Sequence, residues 1–280
     1  MKKRIIILSY PERANAAKAV EHLRTYLEKE FDIVAEDLTG TEDLEKIEAD
    51  MAVVVGGDGS ILATVRRMKS RQIPILGVNL GKFGFLAEFR ERNIENVIAH
   101  LQNEHVVCRQ RMMLQCELLR KGKKIAESLA ANDAAITRTQ VRLIRTKVYI
   151  DGEYIATYMS DGLIVSTPSG STAYSLSSGG PIVEPGVQAF VLTPICPHTL
   201  SNRPLVVSSE KVIEIELEKA PPEASLTIDG QLIFPLEQGD RVHLTKSRYY
   251  FQLIGIKNRS YFETLRKKLN WGGQPNYADD

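Results

Sequence analysis

The segment Val53–Ser60 combines three β-branched residues with a turn in which three glycines surround one carboxylate, Asp58. The pattern predicts a buried strand, a tight turn and the start of a helix at 61–68. Glycine lets the backbone approach a ligand closely, and the N–H groups at a helix start favour an anion such as phosphate. The predicted phosphate-binding residues are Gly56, Gly57, Gly59 and Ser60.

The carboxylate of Asp58 needs a separate explanation, because it should repel a phosphate bound in this turn. It could hold a cation, or accept a proton or hydrogen bond from a substrate hydroxyl, and both possibilities indicate phosphoryl transfer. The alternative is a strand-to-helix turn in which Asp58 only caps the helix. Short glycine motifs are weak evidence, so this stretch alone does not decide between them.

Length and composition limit the class of protein. The chain has 280 residues, 43% hydrophobic and 25% charged, which predicts a globular protein of one large or two ordinary domains. The net charge of +1 gives no reason to expect nucleic acid or a membrane as a partner. Three cysteines without CxxC spacing predict reduced thiols and a cytoplasmic location. No histidine or cysteine cluster has metal-ligand spacing, so no metal site within the protein is predicted.

The order of predicted elements indicates two kinds of domain and a final helix. Residues 1–103 alternate strands and helices, which predicts an α/β domain with a Rossmann-like parallel sheet and Asp58 at its carboxyl edge. Residues 104–257 contain short strands and hairpin turns, which predicts a mainly-β domain built as a sandwich or stacked sheets. Residues 258–280 are predicted to form a C-terminal helix that packs back on the N-terminal domain, followed by a mobile tail.

Several polar or aromatic residues outside the first turn could bind a ligand. Phe85, in a second glycine loop, could pack in the core or cover a flat ring. The amide and carboxylate of Asn132-Asp133 can pair with vicinal hydroxyls, although an ordinary polar turn has the same composition. The segment Asp161–Ser175 predicts a hydroxyl-rich loop followed by a helix with Ser171 or Thr172 as its N-cap, and these neutral groups suit a nucleoside.

These motifs, taken in order from Val53 to Gln231, resemble those of NAD kinases. The Gly-Gly-Asp-Gly turn alone is shared with diacylglycerol and sphingosine kinases and with phosphofructokinases. The hydroxyl-rich loop together with Pro-His-Thr-Leu is far more specific. The stretches that carry the resemblance are Gly56–Gly59, Asn79–Leu86, Asn132-Asp133, Asp161–Ser175, Pro194–Leu200 and Arg203–Val206.

The resemblance implies transfer of the γ-phosphoryl of ATP, or in some members polyphosphate, to the 2′-hydroxyl of the adenosine ribose of NAD, which makes NADP. Asp58 would be the general base or the group that orients this hydroxyl. Mg²⁺ or another divalent cation would arrive with ATP, and the protein would form a homodimer or homotetramer. The implied substrate-binding residues are Gly59, Phe85 by the adenine, Asn132 and Asp133 at ribose hydroxyls, Asp161 on the nicotinamide side, Thr172, Ala173, Tyr174 and Ser177 in a nucleoside wall, and Gln231.

The chain departs from the family pattern at three places. Ser60 stands where the family usually has threonine, and Lys82-Phe83 replaces a commoner Arg-Leu or Asn-Leu pair. Met159 stands where many bacterial members have an arginine that helps to hold the dinucleotide. The sequence offers Arg142 and Lys147 as candidate replacements for that cation.

Two other functions stay open from the sequence. A diacylglycerol-type lipid kinase would share the glycine turn, but it should carry a basic or apolar helix that faces a membrane. The short Lys267-Lys268 helix does not provide that face. A non-catalytic sensor of NAD or NADP would have no need of a base at Asp58.

Overall fold

The structure is a computed structural model that describes residues 2–10, 16–81, 84–102, 105–138, 143–199 and 201–271. The chain forms two compact units, of which the first contains residues 1–109 and 252–280 and the second contains residues 110–251. The division predicted at 1–103, 104–257 and 258–280 stays a prediction. The tail predicted to be mobile lies outside the described residues from residue 272 onward.

The elements alternate in the first hundred residues and are mainly strands thereafter. The helices are α1 (Ala16–Glu30), α2 (Asp58–Met68), α3 (Ile94–Gln102), α4 (Tyr174–Ser177) and α5 (Tyr261–Leu269). The strands are β1 (Lys3–Leu8), β2 (Phe31–Asp37), β3 (Met51–Val55), β4 (Ile75–Asn79), β5 (Phe89–Arg90), β6 (Val106–Arg120), β7 (Lys123–Ala130), β8 (Asp133–Thr137), β9 (Ile144–Ile150), β10 (Glu153–Ser160), β11 (Gly162–Ser166), β12 (Ala189–Ile195), β13 (Leu205–Ser208), β14 (Ile213–Lys219), β15 (Ser225–Ile228), β16 (Leu232–Pro235) and β17 (Arg241–Ile256).

The first unit is built on a parallel sheet in the order β2-β1-β3-β4. The last part of β17 and the short β5 also pair with β4 in parallel. Every residue of β3 and β4 is buried, as expected for strands covered on both faces. Helix α1 buries the apolar stripe that includes Val20, Leu23 and Leu27. The predicted α/β domain is therefore confirmed.

The second unit is an antiparallel β-sandwich. One layer has the order β13-β12-β11-β8-β15-β16, and the other contains β10-β9-β14-β17. Phe190 and Leu192 of the first layer share one buried apolar cluster with Ile213 and Ile215 of the second. The predicted mainly-β half and the final helix are confirmed.

Hairpin turns set the register of the second unit. Lys121-Gly122 joins β6 to β7 and Asp151-Gly152 joins β9 to β10, with positive φ at both residues of each pair. Two successive positive φ angles define the turn type that matches the twist of paired strands. The apolar patterns at 241–244 and 249–253 predict two separate strands, and this prediction is wrong in detail, because both stretches belong to the single strand β17.

Two further features concern the cysteines and the hydropathy of the helices. Cys108, Cys116 and Cys196 are all free thiols, as the sequence predicts. Within the described parts of the chain, no helix combines the length and the apolar character needed to cross a membrane.

Candidate active site

Asp58 connects the glycine turn to the second glycine loop of the first unit. Its Oδ2 accepts a hydrogen bond from the Phe85 N–H at 2.7 Å, and its Oδ1 accepts from the Leu86 and Ala87 N–H groups at 3.0 and 3.1 Å. We call this arrangement the Asp58 clasp. Helix α2 begins at Asp58 itself, three residues earlier than predicted, with Gly57 as its N-cap. The side chain does not cap its own helix, so the capping alternative is wrong.

Close packing around the clasp requires glycine at two positions. A Cβ on Gly84 would lie 1.9 Å from Asp58 Oδ1, and one on Gly56 would lie 2.2 Å from Ser60 Oγ. The N–H of Gly56 donates to the Val78 carbonyl at 2.8 Å, and that of Ser60 donates to the Gly57 carbonyl at 3.0 Å. Two of the N–H groups expected to bind phosphate are thus used by the fold itself. The phosphate-binding role of the turn stays a prediction.

Phe85 lies beside the clasp as a partly buried side chain. It does not belong to the apolar cluster of the first unit within the described residues. The structure therefore favours the interpretation in which the ring is available to a ligand, and its role stays a prediction. The neighbouring Lys82-Phe83 lies outside the described residues.

The second unit contains a concavity of about 450 Å³, which is within the usual range for small-molecule sites. We call it the nucleoside pocket. Among its lining residues, Asn132, Asp133, Ala173 and Tyr174 were predicted from the sequence. The lining residues that the sequence analysis missed are Ala135, Thr137, Arg138, Thr227, Asp229 and Gly230.

Asp229 holds the predicted Asn132-Asp133 pair in place. Its Oδ1 accepts from the N–H groups of Asn132 and Asp133 at 2.7 and 3.2 Å, and its Oδ2 accepts from the Ala131 N–H at 3.2 Å. We call this the Asp229 clasp. Asp229 also occupies the first position of the β15–β16 hairpin, with φ +50°. The Asp229-Gly230 pair is a sequence signal for such a hairpin, which the structure confirms, but the sequence contains no signal that the turn carboxylate reaches back to residue 131.

Asp133 is buried in this pocket, at 4% exposure. Burial, with a smaller contribution from the nearby Asp229 charge, raises the pKa of the Asp133 carboxyl from 3.8 to about 7. Near neutral pH the carboxyl can therefore either donate or accept a hydrogen bond. Asp133 begins strand β8, so the alternative of an ordinary exposed polar turn is wrong at this residue.

The hydroxyl-rich loop mainly stabilises the fold and does not face a ligand along its whole length. The Thr167 hydroxyl donates to the Ala131 carbonyl at 2.6 Å. The Ser171 hydroxyl donates to the Pro168 carbonyl at 2.7 Å and accepts from the Val183 N–H at 3.0 Å. Ser175 and Thr193 pair through their hydroxyls at 2.8 Å, and both are fully buried. Sequence composition could not distinguish the hydroxyls that bond within the fold from those that are available to a ligand.

Helix α4 presents Tyr174 at the pocket. Its N-cap is Ala173, without a side-chain hydrogen bond, so the prediction of Ser171 or Thr172 as N-cap is wrong. Those two residues lie in the preceding 3-10 turn, Ser169–Thr172. The Tyr174 side chain is 43% exposed although it lines the pocket. Partial burial and nearby acidic groups raise the pKa of its phenol, which therefore stays protonated at neutral pH.

Asp161 is paired with Arg138, which lines the pocket from the end of β8. The pair provides a cation at the pocket, a role for which the sequence offered Arg142 or Lys147. Lys147 instead pairs with Glu218 at 3.1 Å, and Arg142 lies outside the described residues. Met159 is a 44% exposed residue of β10.

The remaining predicted contacts lie outside the pocket lining in the structure. Thr172 is partly buried, with its hydroxyl bonded to the Ser169 carbonyl at 3.3 Å. Ser177 and Gln231 are exposed, and the Gln231 N–H closes the hairpin by bonding to the Ile228 carbonyl at 2.9 Å. The roles of these three residues stay predictions. Among the described residues, no group of three His, Cys, Asp or Glu side chains could hold a metal ion.

The parallel sheet with a clasped aspartate after a glycine turn, together with the polar pocket of the second unit, is the combination expected of a nucleotide-dependent phosphotransferase. Comparison with known proteins identifies the family. Residues 9–106 match the family model of the ATP-NAD kinase N-terminal domain, and residues 131–256 match that of the ATP-NAD kinase C-terminal domain. The chain therefore belongs to the NAD kinase family and is an enzyme. The resemblance seen in the sequence is confirmed.

Individual relatives agree with this assignment. An NAD kinase of Rhodopirellula baltica is 37% identical over 97% of this chain and 88% of its own length. An NAD kinase of Geobacter sulfurreducens is 41% identical over 90% of this chain and 86% of its own length.

Solved structures agree as well. The crystal structure of yeast NADH kinase complexed with NADH has a TM-score of 0.90 and is 26% identical in sequence. The match covers 99% of this chain and 90% of that chain. The crystal structure of an Archaeoglobus fulgidus NAD kinase in complex with ATP has a TM-score of 0.75 and is 29% identical in sequence. The match covers 95% of this chain and 98% of that chain.

Proposed function

We propose that this kinase transfers the γ-phosphoryl group of ATP to the 2′-hydroxyl of the adenosine ribose of NAD, with Asp58 at the acceptor hydroxyl. Family membership supports the reaction, since the relatives are NAD kinases and the related structures hold ATP or NADH. The Asp58 clasp is the observation that carries the assignment of Asp58. It fixes one carboxylate at the carboxyl edge of the parallel sheet, where ligands bind in this class of fold.

Asp58 has capacity for about one further hydrogen bond. A carboxylate has about four acceptor positions, and three main-chain N–H groups use three of them. The position that remains is on Oδ2, which accepts from Phe85 alone. We assign it to the proton of the 2′-hydroxyl. The three main-chain bonds hold the carboxylate in one place, so the clasp suits it to orient the hydroxyl.

Orientation is an adequate role in phosphoryl transfer. The transition state is largely loose, and catalysis depends mostly on placing the acceptor in line and on neutralising phosphate charge. Asp58 would fix the direction of the hydroxyl and receive its proton as the bond to phosphorus forms. Helix α2 begins at Asp58, so the positive end of its dipole would favour a phosphate bound at this turn.

The nucleoside pocket would hold NAD. Asn132 and Asp133 would bind ribose hydroxyls, since one supplies an amide and the other a carboxyl group that titrates near neutral pH. The exposed ring of Tyr174 would stack on a base. Arg138 would orient Asp161 through their ion pair, and Asp161 would face the nicotinamide side. Phe85 would lie by the adenine.

A divalent cation, Mg²⁺ in the simplest case, would enter with the nucleotide and bridge its phosphates, where it neutralises developing charge. The donor set around Asp58 suits this route, because three N–H groups already occupy most of the carboxylate. Polyphosphate is the alternative donor. The protein would act in the cytoplasm as a homodimer or homotetramer, and the exposed Leu232 and Ile233 on β16, an outer strand of its layer, support self-association.

One assay tests the reaction and the donor together. The protein is mixed with NAD and Mg²⁺ and with either ATP or polyphosphate, and NADP is detected with an NADP-specific dehydrogenase. We expect NADP to form with ATP. Binding of NAD by calorimetry without release of ADP from Mg-ATP would contradict the proposal and would favour a sensor.

A further inference from the structure

The first unit contains a concavity of about 730 Å³ that lies outside the Asp58 clasp. None of the described residues that line it belongs to 56–60 or 84–87. One side is formed by β5, the 3-10 turn Glu91–Asn93 and one face of α3, and the other by the end of β17, Arg259 and α5. We call it the basic groove, because its lining includes Arg90, Arg92, His100, Arg259, Lys267 and Lys268.

The floor of the basic groove is fixed by hydrogen bonds. Arg109 donates to the Glu88 carboxylate at 2.7 Å and to the carbonyls of Ile256 and Arg259 at 2.9 and 2.7 Å. Arg259 donates in turn to the Glu88 carbonyl at 3.1 Å. Gly255 leaves room for this network, since a Cβ there would lie 2.2 Å from Arg109 Nη1. The two sides of the groove are therefore held together before any ligand binds.

Part of the positive charge of the groove has no carboxylate partner among the described residues. Its lining carboxylate, Glu88, already pairs with Arg109, and Lys267 pairs with Glu263 at 2.6 Å. Within the part of the chain that the structure describes, Arg90, Arg92 and Lys268 have no carboxylate within 4 Å. Of the nearby acidic groups, Glu91 faces His22 at 3.2 Å, and Glu95 is not among the lining residues.

A second concavity of the same unit gives the contrast. It is larger, at about 1080 Å³, and it too is lined by cations. There Arg4 pairs with Glu48 and Asp50, Arg24 pairs with Glu36, and the Lys2 ammonium donates to the Glu28 carbonyl. The two arginines of that concavity are paired with carboxylates, whereas Arg90, Arg92 and Lys268 of the basic groove have no such partner among the described residues, so an anion there would lower their mutual repulsion.

We propose that the basic groove binds a small anion with two or more phosphate groups, at a site additional to the substrate site. Arginine forms paired hydrogen bonds with phosphate oxygens, and the lysines add point charges. The side-chain amides of Asn93 and Asn96 supply neutral donors along the same wall. A single phosphate would leave most of the groove empty. The volume of the groove, about 730 Å³, and the net charge of +1 favour a small molecule over a nucleic acid.

Calorimetric titration with inorganic tripolyphosphate tests this site. The double variant Arg92→Glu/Lys268→Glu changes two exposed residues of the groove, and Lys3→Glu/Lys18→Glu is a control with the same change in charge on exposed residues of the same unit. We expect at least a tenfold loss of affinity in the groove variant, about 1.4 kcal/mol, and less than a twofold change in the control. Equal binding by the groove variant and the wild type would overturn the proposal.

Two further measurements separate this site from the substrate site and from general charge attraction. The groove variant should retain the wild-type kcat/KM for NAD, which also shows that it is folded; a parallel loss of both would mean that the groove belongs to the substrate site. Citrate at matched ionic strength should bind at least tenfold more weakly than tripolyphosphate. Equal binding of the two anions would contradict a phosphate site.

Discussion

The two units each contain an aspartate that is clasped by three main-chain N–H groups, but the two carboxylates differ in exposure. Asp58 receives its bonds from residues 85–87 and is partly exposed at the edge of a parallel sheet. Asp229 receives its bonds from residues 131–133 and is 7% exposed within a β-sandwich. The same local geometry therefore leaves one carboxylate accessible to a ligand and encloses the other.

This difference in exposure suggests different roles for the two aspartates, a reacting role for Asp58 and a positioning role for Asp229. An accessible carboxylate with one acceptor position left can take part in chemistry. The Asp229 carboxylate holds neighbouring groups in place, and those groups are Asn132 and Asp133. Changes at Asp58 should therefore lower kcat, whereas changes at Asp229 should mainly raise the KM for NAD.

The largest effect is expected for Asp58→Asn. Loss of a catalytic base or orienting carboxylate costs roughly 10²–10⁴-fold in rate, so most turnover should disappear while NAD binding is largely retained. Steady-state kinetics and calorimetry with NAD give the two quantities. Asp32→Asn, at an exposed position of the same unit, is the control. A variant at Asp58 with near-normal kcat would show that its assigned role is wrong.

Displacing the Asp58 carboxylate should lower kcat less than removing it does. In Gly84→Ala the new methyl group would meet Asp58 Oδ1 at 1.9 Å, so the clasp must shift. A shift of about 1 Å at a reacting group can cost on the order of 10²-fold in kcat. Gly81→Ala is the matched control, since its Cβ would meet nothing within 4 Å. Equal kcat values for the two alanine variants would contradict the proposal that the clasp positions Asp58 for catalysis.

Asp229→Asn should have a smaller effect than these variants, and it should change the KM for NAD and not kcat. Asparagine tolerates the positive φ of this position, but its NH₂ group cannot accept the Ala131 N–H. One buried donor left without a partner costs about 1–3 kcal/mol of stability. We expect the KM for NAD to rise about three- to tenfold with kcat little changed, as measured by kinetics beside urea unfolding. A fall in kcat alone would break the contrast with Asp58.

The smallest effect is a pH dependence from Asp133. Its pKa is raised from 3.8 to about 7, so the folded state holds this proton more tightly than the unfolded state does. Stability from this group is present below pH 3.8 and is lost as pH rises through about 7. The unfolding free energy of the wild type should therefore fall more between pH 5 and pH 8 than that of Asp133→Asn. Parallel urea curves for both proteins across this range would disprove the shift.

Local sequence patterns predicted those features that depend on neighbouring residues alone. The run Met51–Val55 forms a buried strand because its apolar residues have no polar interruption, and the Lys121-Gly122 and Asp151-Gly152 pairs form hairpins because their φ preferences suit such turns. The Gly56–Ser60 segment was also recognisable as a strand-to-helix turn, since its glycines follow a buried apolar run. Family motifs extended this to Asn132-Asp133 and Tyr174, which the structure brings to one pocket.

Which polar groups face a ligand was decided by tertiary contacts. Thr167, Ser171 and Ser175 look like a nucleoside wall in the sequence, yet their hydroxyls satisfy main-chain and side-chain groups that burial would otherwise leave unpaired. The three N–H groups on Asp58 come from 27 to 29 residues away, and those on Asp229 from 96 to 98 residues away. Hydrogen bonds over such separations depend on how strands are ordered in the sheets, and a linear pattern carries no record of that order.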